Sequence, residues 1–145
     1  MAAFHMAFRV DDLESTRQFY GDLLGCPQGR EAATWIDYDF FGNQISAHVG
    51  PRGEGELLSS VDGKPVPLAH FGVIIPWMQW EALHRHLAER GTGFILEPQV
   101  RFAGDPGEQA TFFVRDPSGN ALEFKAYRHP QDVFRTAAVD DDQAC

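Results

Sequence analysis

Cysteine and basic residues are both scarce in this 145-residue chain. Two cysteines, Cys26 and Cys145, cannot build a disulfide framework, and a reducing compartment suits them. Lysine and arginine together number 12 against 21 acidic residues, which gives a formal charge of −9. That balance excludes the basic surface with which proteins bind nucleic-acid phosphates or anionic lipids.

Long apolar runs are also missing. No stretch approaches the roughly 20 apolar residues that span a bilayer, and the amino terminus lacks the basic and apolar regions of a signal peptide. We therefore expect a soluble, cytoplasmic protein whose partner is a small-molecule substrate, with no nucleic acid and no membrane. Cys26 has no base near it in the sequence, so we do not expect a nucleophilic thiol.

What the chain does contain is a repeat. The apolar stretch "AFHMAFRV" (3–10) is followed by the helical pattern "DDLESTRQFYGDLLG", in which Asp11 and Glu14 have the spacing of a helix-capping pair. The stretch "LAHFGVII" (68–75) is followed by the helical pattern "WMQWEALHRHLAERG". Each half then carries strand patterns that turn at a Gly-Asn pair. This order predicts two βαβββ modules.

The predicted fold is therefore α+β, with two tandem βαβββ modules forming one curved, barrel-like mixed sheet and the helices outside. Neither module covers its own sheet easily, so we expect a single domain over residues 1–128. Module one takes 3–50, a linker 51–67, and module two 68–128. We expect 129–145 to form an acidic, frayed tail.

The two modules differ in length. His5 and His70 are 65 positions apart, whereas Gly42 and Gly119 are 77 apart, so the second module carries 12 additional residues. The segment "EPQVRFAGDPGEQ" (97–109) is rich in proline and glycine. We expect it to be a long loop that forms a lid or rim.

Polar residues share one face of the predicted strands. Alternation places His5 beside Ala7 and His70 beside Gly72, away from the apolar face, and these small neighbours leave room for a cavity. In the closing strands the same rule sets Glu123 on this concave side. It sets Gln44, Ser46 and His48 there as well, so the candidate ligands are His5, His48, His70 and Glu123.

Two imidazoles and one carboxylate with open positions form the facial triad that holds Fe(II). With a fourth nitrogen or oxygen donor, such as His48, the same set suits Mn(II), Ni(II) or Zn(II). We therefore expect a divalent metal ion, with Fe(II) favoured. The ion would also offset the cost of burying Glu123.

The doubled plan, the motif "DPSGNALEF" and the segment "HMAFRVDDLESTRQFYGDLLG" resemble the vicinal oxygen chelate superfamily of glyoxalases, extradiol dioxygenases, and fosfomycin and bleomycin resistance proteins. The resemblance covers about residues 4–128. It implies a metal on His5, His70 and Glu123 that chelates vicinal oxygens of the substrate, and it implies a homodimer. The chain departs from the symmetric glyoxalase pattern at Ser46, where a second glutamate would be expected, and His48 is the candidate replacement.

Three functions follow from this resemblance. The preferred one is an extradiol-type dioxygenase acting on a small vicinal diol or enediol, with His48 as the acid/base. The alternative is a metal-dependent glyoxalase-like lyase or isomerase, which also needs a base, and again His48 is the one evident. The third is a drug-sequestering resistance protein, although such members typically lose the metal residues that this chain retains.

Overall fold

A computed structural model describes residues 2–136. The chain divides into two compact units. The first contains the residues up to Glu54 together with Asp116–Asn120, and the second contains Gly55–Arg115 together with the chain from Ala121.

The first unit holds one helix and four strands. In chain order they are β1 (His5–Val10), α1 (Leu13–Thr16) continuing as a π-helix (Arg17–Leu23), β2 (Gln28–Ala32), β3 (Trp35–Phe40) and β4 (Asn43–Val49). The sheet order is β1-β4-β3-β2, with β1 parallel to β4 and the other pairs antiparallel. Asp12, rather than the predicted Asp11, caps the helix, because its carboxylate accepts a hydrogen bond from the Ser15 N–H at 2.7 Å.

The second unit repeats this order and adds a hairpin before it. Its elements are β5 (Leu58–Val61), β6 (Lys64–Pro67), β7 (Phe71–Ile74), α2 (Trp77–Glu89), β8 (Phe94–Arg101), β9 (Gln109–Arg115), β10 (Ala121–Tyr127) and a 3-10 helix (Pro130–Phe134). The main sheet runs β7-β10-β9-β8, and β7 is parallel to β10. The predicted α+β class and the duplicated strand–helix–strands plan are therefore confirmed.

Three segments differ from the sequence-based expectations. The expected linker 51–67 contains the β5–β6 hairpin, whose Asp62-Gly63 turn has positive φ at both residues. The expected loop 97–109 is strand at both ends, since β8 reaches Arg101 and β9 starts at Gln109. Pro98 is tolerated because β8 is an edge strand with register shifts.

The expected frayed tail is helical at Pro130–Phe134. Residues 137–145 lie outside the described part of the chain, so the prediction for them stays a prediction. In residues 2–136 no helix combines the length and apolarity needed to cross a bilayer.

The core of the second unit lies on both faces of its sheet. On one face Trp80 of α2 packs against Phe112 and donates its indole N–H to the carbonyl of Phe124 at 2.9 Å. On the other face the β5–β6 hairpin packs onto the sheet through one buried apolar cluster: Val61, Val66, Leu96 and Phe113. The hairpin therefore covers part of the face that bears Glu123, since Phe113 is the direct cross-strand neighbour of Glu123.

The first unit includes the turn between β9 and β10. Asp116 accepts hydrogen bonds from the Tyr20 hydroxyl at 2.8 Å and from the backbone N–H groups of Ser118 and Asn120. The Asn120 amide in turn donates to the carbonyl of Arg9 at 2.8 Å. The family-like "DPSGN" motif is thus a turn that completes the polar interior of the first unit.

Candidate functional site

His70 and Glu123 meet in the second unit. The His70 Nε2 atom lies 3.1 Å from Glu123 Oε2, and their side chains are 16% and 6% exposed. Strands β7 and β10 bring them together because Gly72 pairs directly with Glu123. A Cβ atom at residue 72 would lie 1.6 Å from the Glu123 carbonyl oxygen. Glycine is therefore required here by the approach of the two strands, whereas the sequence suggested that it opens a cavity.

The hydrogen bonds of His70 define the chemistry of this pair. Its Nδ1 atom lies 2.9 Å from the Pro67 carbonyl oxygen, which is only an acceptor, so Nδ1 carries the proton. In a neutral ring Nε2 then presents a lone pair toward the carboxylate of Glu123. Two acceptors at this distance need a shared positive charge, supplied either by a second ring proton or by a bound cation.

The donor set fits a divalent ion. An imidazole nitrogen and a carboxylate oxygen are ligands for Fe, Mn, Ni and Zn. Bonds of about 2.0–2.2 Å at a right angle place two donor atoms roughly 3 Å apart, close to the observed separation. Thr111 also orients Glu123, because its hydroxyl donates a hydrogen bond to Glu123 Oε1 at 2.7 Å. The Phe113 ring packs edge-on against the His70 imidazole, with centroids 4.8 Å apart.

The β5–β6 hairpin is fixed in place beside this pair. The hairpin supplies the Pro67 carbonyl that contacts His70. Asp62 lies in the turn of the hairpin, and its carboxylate accepts a hydrogen bond from Arg101 at 3.0 Å. The Arg101 side chain is 1% exposed, and in the described part of the chain its Nη1 atom is buried without a hydrogen-bond partner. The segment expected to be a passive linker therefore positions a candidate metal ligand.

His5 and His48 lie in the first unit, and its sheet does not bring them together. His5 pairs with Gln44, whereas His48 pairs with Arg9 on one side and Trp35 on the other. Four strand residues separate the two levels, which is roughly 13 Å along the strands. Both histidines are exposed. The contacts of His48 therefore support neither the ligand role nor the acid/base role that the sequence assigned to it.

A buried carboxylate that the sequence analysis did not single out lies in this unit. Asp37 on β3 pairs with Ser46 on β4, and its side chain is only 6% exposed. Asp37 Oδ1 accepts a hydrogen bond from the Ser46 hydroxyl at 2.5 Å. Its Oδ2 has two longer contacts, 3.3 Å from Gln44 Nε2 and 3.4 Å from an Arg30 guanidinium nitrogen.

A signal for Asp37 was present in the sequence. In "TWIDYDFFGN" Asp37 alternates with Ile36 and Tyr38, and a two-residue turn at Phe41-Gly42 sets it opposite Ser46. Both turn residues have positive φ, as this hairpin type requires. The alternation of residues predicts the face of the sheet on which Asp37 lies, whereas its cross-strand partner depends on the length of the turn.

A cavity of about 350 Å³ opens beside Asp37. Its wall includes Arg30, Asp39 and Gln44 together with the glycines at 29 and 42. In residues 2–136 no group of three or more His, Cys, Asp or Glu side chains is arranged to hold a metal ion. The complete predicted ligand set thus stays a prediction, and the pair His70–Glu123 is the part that the structure assembles.

Cys26 is buried in the first unit, and burial raises the pKa of its thiol to about 12. The thiol is therefore protonated at neutral pH, which agrees with the expectation that it is not a nucleophile.

Comparison with known proteins identifies the family of this chain. The family model described as the Glyoxalase/Bleomycin resistance protein/Dioxygenase superfamily matches residues 3–124. A glyoxalase/bleomycin resistance protein/dioxygenase from Alicyclobacillus acidocaldarius is 32% identical, with 92% of this chain and 96% of that chain covered and a TM-score of 0.77. Comparison with curated proteins gives no match.

More distant structures share the fold alone. The genomically encoded fosfomycin resistance protein FosX from Listeria monocytogenes is 14% identical, with 91% of this chain and 97% of that chain covered and a TM-score of 0.66. A glyoxalase/dioxygenase from Nostoc punctiforme is 18% identical, with 88% and 92% covered and a TM-score of 0.63. With its family model and its 32% identical relative, this chain belongs to the glyoxalase/bleomycin resistance protein/dioxygenase superfamily.

Proposed function

We propose that this chain is a metal-dependent enzyme that acts on a small vicinal diol or enediol, with extradiol-type dioxygenase chemistry. The observation that carries the proposal is the His70–Glu123 pair, whose facing nitrogen and oxygen need a shared positive charge. The third ligand that the sequence predicts, His5, stays a prediction. Fe(II) is the favoured ion, and Mn(II), Ni(II) and Zn(II) fit the same donors.

The described residues prepare the pair for this role. The Pro67 carbonyl holds His70 in the tautomer that presents Nε2, and the Thr111 hydroxyl fixes one oxygen of Glu123. The buried cluster around Phe113 and the hairpin excludes water from one side of both groups. His70 and Glu123 would hold the divalent ion, which would supply Lewis acidity and a template for two neighbouring substrate oxygens.

The test is metal stoichiometry followed by substrate screening. Protein purified without oxygen should bind about one Fe(II) per chain, and it should consume oxygen with at least one member of a catechol and enediol panel. His70→Ala should lose the metal with its circular dichroism unchanged. His129→Ala is the matched control, because His129 is an exposed histidine outside the proposed ligands. Retention of stoichiometric metal by His70→Ala would overturn the proposed site.

The second candidate function is a metal-dependent lyase or isomerase of the glyoxalase type. The sequence disfavours this function, because the first module has Ser46 where the glyoxalase pattern has a second glutamate. Asp37 now supplies a buried carboxylate opposite Ser46, and this observation favours the candidate. Proton exchange from deuterated water into an α-hydroxy ketone, in the absence of oxygen uptake, would distinguish it from the dioxygenase.

The cytoplasmic location and the homodimer remain predictions of the sequence and of the family resemblance. Size-exclusion chromatography with light scattering tests the dimer directly.

A further inference from the structure

One half of the sheet face that bears Glu123 is open in the described part of the chain. The β5–β6 hairpin lies over the β8–β9 side of this face, where it buries one apolar cluster. On the β7–β10 side Gly72 is exposed, and Ile74 is 45% exposed. A molecule that reaches the His70–Glu123 pair therefore has its open approach across β7 and β10.

Lys125 lies on this open side. It follows Glu123 by two residues on β10, so both side chains lie on the same face, roughly 7 Å apart along the strand at about 3.3 Å per residue. Thr111 confirms the face, because it is the cross-strand partner of Lys125 and its hydroxyl donates to Glu123. Lys125 is half-buried, and its partner on β7 is Ile74.

The ammonium group of Lys125 lies over an aromatic ring. Its Nζ atom is 5.6 Å from the centroid of the Tyr127 ring, a distance at which the ring attracts the cation. Tyr127 is the next residue of β10 on the same face, and it is also half-buried. The open side thus carries, in order along β10, a carboxylate, an ammonium group and an aromatic ring.

These groups complement an anionic aromatic molecule. The chain has a formal charge of −9, so a cation beside the candidate metal ligands is a local exception to a field that repels anions. Lysine carries a compact charge on a flexible stem, which lets it follow a carboxylate. The step from Glu123 to Lys125 is comparable to the length of a substituted aromatic ring, and Ile74 offers apolar surface to such a ring.

We propose that Lys125 determines substrate specificity by binding a carboxylate group of the substrate, an inference that rests on the function proposed above. The substrate class is an aromatic vicinal diol that carries a carboxylate. Its hydroxyl groups lie at the His70–Glu123 pair, and its carboxylate accepts a hydrogen bond from the Lys125 ammonium group. Ile74 and Tyr127 contact the ring between these two ends. All five residues belong to the second unit.

The experiment compares two probes of the same shape, 3,4-dihydroxybenzoate and its uncharged amide, 3,4-dihydroxybenzamide. Zn(II)-loaded protein avoids turnover, and isothermal titration calorimetry gives the dissociation constant of each probe. The parent should bind the carboxylate at least about tenfold more tightly than the amide, the usual gain from one hydrogen bond to a charged group. Lys125→Met keeps most of the side-chain length and removes the charge, so it should bind the two probes within a factor of about three of each other.

The matched control removes a positive charge from the other side of the same sheet. Arg85 is an exposed residue of α2, the helix that packs on the face opposite Glu123. Arg85→Met should therefore give the parent's two dissociation constants. If Lys125→Met fails to fold by circular dichroism, Lys125→Gln replaces it with the same expectation.

The outcomes separate this inference from the proposed function. A parent protein that binds no zinc, or binds zinc and neither probe, overturns the proposed diol-binding function, and the role of Lys125 with it. A parent that binds both probes equally well overturns the carboxylate specificity alone. A preference for the carboxylate that survives in Lys125→Met or Lys125→Gln overturns the role of Lys125 alone, as does an equal loss of that preference in Arg85→Met.

Discussion

The two units have the same strand order but place their buried carboxylates on different strands. In the second unit the closing strand bears Glu123, which faces a histidine. In the first unit the closing strand bears Ser46, and the carboxylate is Asp37 on the neighbouring strand, which faces amide, hydroxyl and guanidinium donors. A duplicated fold can therefore keep a buried carboxylate at the same level of both sheets while changing the strand that bears it and the groups that face it.

The largest effect should come from removing Glu123, the carboxylate proposed as a metal ligand. Glu123→Ala should lower the affinity for Fe(II) or Zn(II) by about 100-fold or more, because His70 would be left without an anionic partner for a shared cation. Ser46→Ala, at the equivalent position, should leave metal affinity within a factor of about three. Competition with a chelator measures both, and equal losses in the two variants would contradict the division of roles.

The next effect concerns Gly72, the cross-strand neighbour of Glu123 on β7. Gly72→Ala should destabilise the protein by about 3 kcal/mol or more, since the new Cβ collides with the Glu123 carbonyl. Ala7→Gly, its counterpart, should cost only about 0.5–1 kcal/mol through backbone entropy. Urea denaturation gives both values. A Gly72→Ala variant as stable as Ala7→Gly would show that the strands approach less closely than described.

Alkaline pH should destabilise the first unit before the second. Burial raises the pKa of Tyr20 and Tyr38 and takes that of Cys26 to about 12, and all three belong to the first unit. The unfolded chain loses these protons at lower pH than the folded chain does. Stability from these groups is therefore complete below about pH 9 and is lost as the pH rises further.

Hydrogen exchange followed from pH 8 to pH 11, corrected for the intrinsic exchange rate, tests this expectation. Protection should fall first in β3 and β4 and later in β9 and β10. Simultaneous loss in both pairs of strands would contradict it.

The smallest effects on stability should come from removing the hydroxyl groups of two stacked tyrosines, Tyr20 and Tyr38. Tyr20→Phe removes the hydrogen bond to Asp116 and should cost about 1–2 kcal/mol. Tyr38→Phe should be neutral or slightly stabilising, because the Tyr38 hydroxyl is buried with no hydrogen-bond partner in the described residues. Thermal unfolding of the two variants against the parent measures the difference, and a loss at Tyr38 equal to that at Tyr20 would reveal a missing partner.

Much of the fold was predictable from local patterns. Period-two alternation, helical stripes and the Gly-Asn turns predicted the duplicated plan, and the α+β class is confirmed. The β5–β6 hairpin was not predicted, because its strands are four residues long and contain Pro65 and Pro67, which favour a loop by composition. Its stability comes instead from Val61 and Val66, which pack on Leu96 and Phe113 far along the chain.

The candidate site was predictable where the repeat supplied two matching examples. His70 and Glu123 were found because a strand histidine and a closing-strand glutamate fit one pattern, and the structure places them in contact. Asp37 was missed because it breaks that pattern, and its burial depends on the cross-strand partner Ser46. The role of His48 stays a prediction, because sharing a face with Ser46 does not determine its distance from His5 along the strands.

The turn at Asp116–Asn120 has a consequence for synthesis of the protein on the ribosome. Its hydrogen bonds to Tyr20, Arg9 and Asp11 span 96, 111 and 107 positions of sequence. Contacts of such separation close late, because a long loop must be ordered before they form. The first unit is mostly translated before the second, and its interior is completed only after residues 116–120 have left the ribosome.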